Sequence, residues 1–283
     1  MKQIQLNNGI SIPQLGYGVF QIDDLEQCEQ GVRDALQTGY RLIDTAACYG
    51  NEVAVGHAIT KSDVPREDIF ISSKVWIQDT GYEKTMASFQ KTLDNLQTDY
   101  LDLYLIHMPY GDYYGSWRAM EELYQSGKIR AIGVCNFLPD RLTDLIQSFD
   151  VVPAVNQIEL HPFSQRRDLR NLMNKYRITS MAWAPFAEGQ NHLFTHPILK
   201  KIGDQYDKTP AQVTLRWLRQ NDIVAIPKSV HLERIHQNFS VDDFKLSDSD
   251  MTKINELDTG HPLILDVATY KEAYRLHHIT FVQ

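Results

Sequence analysis

The chain has 283 residues, with 28 Lys and Arg against 36 Asp and Glu, for a formal net charge of −8. That length accommodates one (β/α)8 domain as well as two smaller domains. The mild acidity argues against general nucleic-acid binding, which needs clustered Lys and Arg. Its three cysteines, Cys28, Cys48 and Cys135, are far apart with no CxxC spacing, so structural zinc and a disulfide framework are not expected. Residues 1–9 hold no apolar signal-peptide core. No run approaches the roughly 20 apolar residues of a membrane span. The expectation is a cytoplasmic protein that holds no metal.

Taken in chain order, residues 3–6 and 10–14 alternate around Asn7-Asn8-Gly9, a hairpin signal. A short strand near Leu15–Gly18 precedes a helix from about Leu25 to Gln37, stopped by Gly39. A strand at 41–43 leads to a helix beginning around Asn51. A strand at 69–74 leads to a helix at about 82–96, where Met86, Phe89, Leu93 and Leu96 share one helical face. A strand at 101–106 is followed by a helix at 116–126 that Gly127 ends. Ala131-Ile132-Gly133-Val134 reads as the fifth strand, and Pro139 opens the fifth helix at an N1-like position. Val155–Glu159, Thr179–Trp183 and Ile223–Ile226 read as the last three strands, with helices near 165–176, 210–220 and 231–238. A further amphipathic segment at about 247–258 opens on the N-cap cluster Ser247-Asp248-Ser249-Asp250. From Gly260 onward periodicity is weak, and the tail reads as an ordered but irregular extension. Eight strands alternating with helices predict a parallel sheet, closed or open. No linker or composition shift divides residues 1–283, which read as a single domain.

Three polar residues stand where strand patterns run out: Asp44 after Arg41-Leu42-Ile43, Lys74 after Ile69–Ser73, and His107 after Leu101–Ile106. Polar residues at the C-terminal ends of successive strands are how a (β/α)8 barrel assembles an active site. With Tyr49 they make the ingredients of a proton relay. A phenol has a reference pKa near 10. A nearby ammonium stabilises the phenolate, and a carboxylate keeps that ammonium charged and oriented. Such a site protonates a carbonyl oxygen while hydride reaches the carbon, and hydride must come from a cofactor. There is no GxGxxG and no P-loop. Lys228-Ser229, with Arg234 beyond, reads instead as a phosphate clamp after the eighth strand. Taken singly, each residue has an ordinary structural reading: a salt-bridged strand end, a satisfied histidine, a charged helix face. The ordered combination carries the signal.

The runs Gly39–Ala46, Tyr49-Gly50-Asn51-Glu52, Leu101–His107, Ile132-Gly133-Val134, Asn136-Phe137, Val155–Glu159 and Ile226-Pro227-Lys228-Ser229 are similar to those of the aldo-keto reductases. The match spans nearly the whole chain. It is nearest the branch of 2,5-diketo-gluconate reductase, glyoxal reductase and the prostaglandin F synthase-like enzymes. The resemblance implies a (β/α)8 TIM barrel with an N-terminal β-hairpin capping its bottom, and NADPH (NADP+) lying extended across the top. It implies Tyr49 as general acid, Asp44 and Lys74 as its tuners, and His107 as carbonyl orienter. Asn136 and Gln157 would hold the nicotinamide carboxamide and Trp183 would stack on the ring. Gly18 and the Pro185–Gly189 loop, with Pro185 and Phe186, fall in the cofactor site. Lys228, Ser229 and Arg234 would grip the 2′-phosphate, with Gln237 and Asn238 near the adenine. Phe20, Trp76, His107 and Met108 would line the substrate pocket.

Some positions depart from the family's usual pattern. His107-Met108-Pro109 places a flexible thioether where an indole is usual, which implies a wider or more adaptable pocket. Cys135 replaces a Ser and is a poorer donor. Ala184 replaces a Ser, and Gln237 a Glu. The expectation is an NADPH-dependent carbonyl reductase of small aldehydes or ketones, dicarbonyls among them, working as a monomer with no nucleic-acid or membrane partner. The alternative is an NADPH-binding regulatory module with negligible turnover. A metal-dependent hydrolase built on His107 and His161 lacks HxH or HExxH spacing.

Overall fold

The computed structural model of the protein describes residues 2–283. It opens with an antiparallel hairpin, β1 (Gln3–Gln5) and β2 (Ser11–Pro13). The barrel strands and helices follow: β3 (Tyr17–Gly18), α1 (Leu25–Thr38), β4 (Leu42–Asp44), α2 (Glu52–Thr60), β5 (Phe70–Val75) and α3 (Tyr82–Leu96). Next come β6 (Leu103–Ile106), α4 (Tyr113–Gln125), β7 (Ile132–Cys135), α5 (Pro139–Ser148), β8 (Val155–Glu159), α6 (Arg167–Lys175) and β9 (Thr179–Trp183). The chain closes with α7 (Pro197–Tyr206), α8 (Pro210–Gln220), β10 (Val224–Ala225), α9 (Leu232–Phe239), α10 (Asp248–Asn255) and α11 (Tyr270–His277).

The parallel sheet runs β3 through β10 in sequence order. It closes on itself through a parallel bridge between Leu15 and Ala225. Gly16 N–H donates to Ala225 O at 2.8 Å and Gly18 N–H to Pro227 O at 3.2 Å across that seam. Alternation along each strand sorts the core into two layers. Tyr17, Ile43, Ile71, Tyr104, Ile106, Val134 and Ile158 face the helices. Leu42, Phe70, Leu103, Leu105, Val155, Met181 and Val224 fill the barrel, and Leu6 and Ile12 of the hairpin join them from below.

The helices follow from local chemistry. Asp24 caps α1 by accepting from the N–H groups of Glu26 and Gln27, and Gly39 ends it at φ 116°. Cys28, Val32, Ala35 and Leu36 form its buried stripe. α4 begins at Tyr113, ahead of the expected start at 116, because Asp112 accepts from Gly115 N–H and caps it there. Two helices stand where the sequence pattern gave none. α7 buries only Leu199, Ile202 and Gly203. The tail contains α11, capped by Thr269, which buries only Leu276 and leaves Tyr270 and Tyr274 exposed. A single buried position yields no periodicity, so the tail read as irregular. Among the described residues, no helix is long and apolar enough to cross a membrane.

β7 delivers the segment Cys135-Asn136 to the barrel mouth, and a glycine sets how closely it approaches β8. A Cβ on Gly133 would lie 2.5 Å from Val155 O and 2.8 Å from a Leu105 methyl. Gly133→Ala is therefore expected to lower stability by about 1–3 kcal/mol, the usual range for overpacking. An unchanged urea midpoint would contradict this.

Candidate active site

Register places the polar residues together. Asp44 pairs with Ser72, and Lys74 lies two residues further along β5, so both point into the barrel. Lys74 is fully buried. Its Nζ donates to Asp44 Oδ2 at 2.7 Å and to the Thr45 carbonyl at 2.7 Å. Asp44 Oδ1 in turn accepts from Gln157 Nε2 at 2.9 Å. A buried ammonium needs such partners to remain charged. Two of its N–H groups are satisfied there, and Nζ lies 5.1 Å from the Tyr49 ring centroid.

Tyr49 ends a short 3-10 turn, Ala47–Tyr49, at the barrel mouth. The buried Asn51 secures this segment: its Nδ2 donates to Val19 O at 2.9 Å and Ile22 O at 3.2 Å, and its Oδ1 accepts from Thr45 Oγ1. Burial, and then the negative charge of Asp44, hold the Tyr49 phenol well above its ordinary pKa. The sequence reading expected Lys74 to lower it. The structure reverses that direction for the protein alone, because burial and then the Asp44 charge disfavour the phenolate. The phenol is therefore fully protonated at neutral pH, the form a general acid requires. His107, at the end of β6, lies edge-on to Tyr49 at 5.7 Å and to Trp76 at 4.9 Å between ring centroids. Burial, then the nearby Lys74 charge, push its pKa well below the usual value. Its ring is neutral, with Nδ1 3.4 Å from Cys48 Sγ.

The amides expected at the cofactor are already engaged within the protein. Asn136, at φ 60°, donates through Nδ2 to His107 O at 3.1 Å and Met108 Sδ at 3.5 Å. Its Oδ1 accepts from the Trp183 indole N–H at 2.9 Å. Gln157 Nε2 also meets Met181 Sδ at 3.4 Å, while its Oε1 receives only the long Cys135 Sγ contact at 3.9 Å. Both amides thus have acceptor capacity on their oxygens, not spare N–H groups. Gly18 has a structural role of its own, since a Cβ there would lie 3.1 Å from Ile226 O. Ala184 and Ala187, flanking Pro185 and Phe186, adopt φ of 44° and 50°. Left-handed backbone at non-glycine residues marks a segment held in place by its surroundings. Lys228 and Arg234 are exposed beside the uncapped start of α9. Neither forms an ion pair with the described residues. The Ser229 hydroxyl sits in a local turn, accepting from His231 N–H at 3.1 Å. Gln237 donates to Glu233 at 3.2 Å, and Asn238 is buried. Unpaired cations at a helix N-terminus suit a phosphate, so these residues fit the expected dinucleotide.

The substrate wall differs from expectation in one respect. Phe20 is half exposed, 4.9 Å from the Tyr49 ring centroid. Met108, from which the sequence implied a wider or more adaptable pocket, is covered by the chain's own residues. It is buried in a cluster with Trp76, Ile77 and the tail residue Leu276. The tail is tied down at separate points. Trp76 Nε1 donates to Ile279 O at 3.1 Å, and Tyr110 OH to Val267 O at 2.6 Å. The buried Glu159 carboxylate accepts from Leu263 N–H at 2.6 Å, Ile264 N–H at 3.2 Å and Leu265 N–H at 3.0 Å, beside His161 Nε2 at 3.1 Å. Burial pushes this carboxyl up, but the bonds from His161 and the tail outweigh it and hold its pKa below the usual value. Asn51 and Glu159 were visible in the motif runs without a role. Thr45 meets Lys74 through its carbonyl oxygen, which no side-chain pattern reveals.

The barrel thus gathers a buried Lys–Asp pair, a tyrosine and a histidine at its mouth. The comparisons with known proteins identify the family of the fold. The model of the aldo/keto reductase family matches residues 14–259. The chain is 48% identical over 271 residues to an aldo-keto reductase of Mycolicibacterium smegmatis, covering 95% of this chain and 98% of that one. It is 46% identical over 255 residues to a glyoxal reductase of Bacillus subtilis, covering 90% and 92%. The crystal structure of a Bombyx mori aldo-keto reductase in complex with NADP superposes with a TM-score of 0.90 at 32% identity, covering 96% of this chain and 97% of that one. The chain belongs to the aldo/keto reductase family, a family of oxidoreductases.

Two results follow from the buried charges. Asp44→Asn leaves Lys74 uncompensated, and breaking a buried pair is expected to destabilise by about 3–5 kcal/mol in urea unfolding. Parent-like stability would show that the pair is not needed. His107 has a folded pKa below its unfolded value, so the unfolded chain binds the extra proton. Its contribution to stability therefore declines as pH falls below about 6.5. In the folded protein its NMR signals are expected to stay those of a neutral ring well below the pH at which an ordinary histidine protonates. A titration near the ordinary value would contradict the burial argument.

Proposed function

We propose that this protein is an NADPH-dependent carbonyl reductase of small aldehydes or ketones, dicarbonyls among them, with Tyr49 as general acid. The observation that carries the reading is the Tyr49 ring 5.1 Å from Nζ of the Lys74–Asp44 pair, with His107 edge-on across from it. Bound NADPH supplies hydride to the carbonyl carbon. Tyr49 gives its hydroxyl proton to the carbonyl oxygen, and the Lys74 charge stabilises the phenolate left behind. Asp44 keeps Lys74 charged and aimed. His107 donates from Nε2 to the same oxygen and orients it. Phe20, Trp76 and Met108 supply an apolar wall that suits neutral substrates. The name of the Bacillus subtilis relative, glyoxal reductase, supports a small dicarbonyl.

Asn136 and Gln157 present oxygens that can accept from a carboxamide N–H, and Trp183 is held beside them by Asn136. Gly18 and the 184–189 segment, with Pro185 and Phe186, complete the cofactor site in this reading. Lys228, Ser229 and Arg234 hold the 2′-phosphate, with Gln237 and Asn238 at the adenine. Two cations favour NADPH over NADH because a ribose hydroxyl gains little from them. The reading takes residues 1–283 as a single domain working as a cytoplasmic monomer.

Tyr49→Phe tests it. With methylglyoxal, a phenyl-aldehyde and a keto-sugar, kcat is expected to fall roughly 10²–10⁴-fold. NADPH binding, read by fluorescence quenching, is expected to be unchanged. A rate near the parent's would overturn the assignment. Arg234→Ala is expected to raise the KM for NADPH about ten- to hundredfold, the worth of a charge-assisted contact, and that for NADH far less. Equal effects would contradict the phosphate clamp.

A further inference from the structure

We propose that Cys48 is a positioning residue that donates its thiol proton to His107 Nδ1 and so fixes the tautomer that carries its proton on Nε2. The inference rests on the reading of His107 as carbonyl orienter and adds what sets that histidine's chemistry. The Cys48 Sγ to His107 Nδ1 distance is 3.4 Å. A neutral imidazole has one N–H and one lone pair, and the partner of one nitrogen decides the role of the other. A carbonyl oxygen only accepts, so a ring with its proton on Nδ1 offers it nothing. Among the described residues, Nε2 has no hydrogen-bond partner, which leaves it for the ligand.

The pairing has a preferred sense. Sulfur is a weak acceptor, whereas the ring nitrogen lone pair is a good one. S–H to Nδ1 is therefore the better bond than N–H to sulfur. Burial also pushes the Cys48 thiol up to about 12, so it keeps the proton it donates. The ring cannot turn away from the thiol freely. It is packed edge-on by Tyr49 and Trp76, and its backbone is held by His107 N–H to Val75 O at 3.0 Å and by Asn136 Nδ2 on His107 O. Cys48 falls between the two motif runs that end at Ala46 and resume at Tyr49, so the family resemblance gave it no role. It also packs against Trp76, Ile77, Met108 and Leu276, and its bulk must be separated from its proton.

Two variants make that separation. Cys48→Val keeps an apolar wall and removes the donor. Cys48→Ser keeps a donor and loses bulk. The tautomer is read directly from two-bond ¹H–¹⁵N correlations of the imidazole, with His107 assigned by its absence in His107→Gln. The parent and Cys48→Ser are expected to show Nε2 protonated and Nδ1 bare, and Cys48→Val a mixture. The kcat for methylglyoxal is expected to fall roughly two- to tenfold in Cys48→Val, the worth of a neutral hydrogen bond, and to return close to the parent's in Cys48→Ser. The KM for NADPH is expected to hold throughout. A proton on Nδ1 in the parent, or a Cys48→Val spectrum identical to the parent's, overturns the inference whatever the rates. A shifted tautomer with unchanged kcat upholds the hold of Cys48 on the ring and instead overturns the orienting role of His107.

Discussion

Lys74 is the residue around which the barrel mouth is organised. An ammonium with no exposed surface is tolerated only where its charge is matched and its N–H groups are used. Asp44 and Thr45 supply both from the neighbouring strand. The obligation then spreads outward. Asp44 needs a second donor and takes one from Gln157, 113 residues along the chain. Gln157 consequently commits its N–H groups to Asp44 and Met181 and leaves its oxygen with only the long Cys135 contact. Tyr49, with its phenol proton, and His107, with its neutral ring, both take their state from burial beside this charge pair.

The second constraint is the tail. Residues beyond the barrel are held by three successive backbone N–H groups converging on Glu159. Beyond that anchor the chain reaches Tyr110, Trp76 and Gln78 and places Leu276 against Met108. The apolar cluster of Trp76, Ile77 and Met108 is therefore completed by a segment outside the region that the family model matches, which ends at residue 259. A small residue or a flexible one in the barrel need not mean an open pocket when the tail occupies the same space.

The parts legible in the sequence were those with local causes. Strand ends at Asp44, Lys74 and His107 stand out because apolar alternation stops there, and the Asn8-Gly9 turn and the caps of α1 and α10 are written in adjacent residues. What escaped depends on contacts distant in sequence. α7 follows a run of left-handed residues, among them Asn191 and His192, and buries too few side chains to show a period. α11 has a capping Thr269 and a single buried side chain, Leu276. The commitments of Asn136 and Gln157 follow from register, which composition does not contain. The direction of the Tyr49 shift also escaped. Spacing shows that a lysine is near the phenol, but not that the phenol is buried beside a carboxylate.

The central claim is that the Lys74 charge serves the proton transfer and not the binding of the cofactor. Single-turnover oxidation of NADPH by Lys74→Met with methylglyoxal measures this most directly, alongside NADPH binding by fluorescence quenching. The account predicts binding close to the parent's and a turnover slowed by roughly 10²–10⁴, the range for loss of acid–base assistance. Parent-like turnover, or a loss confined to NADPH binding, would contradict it.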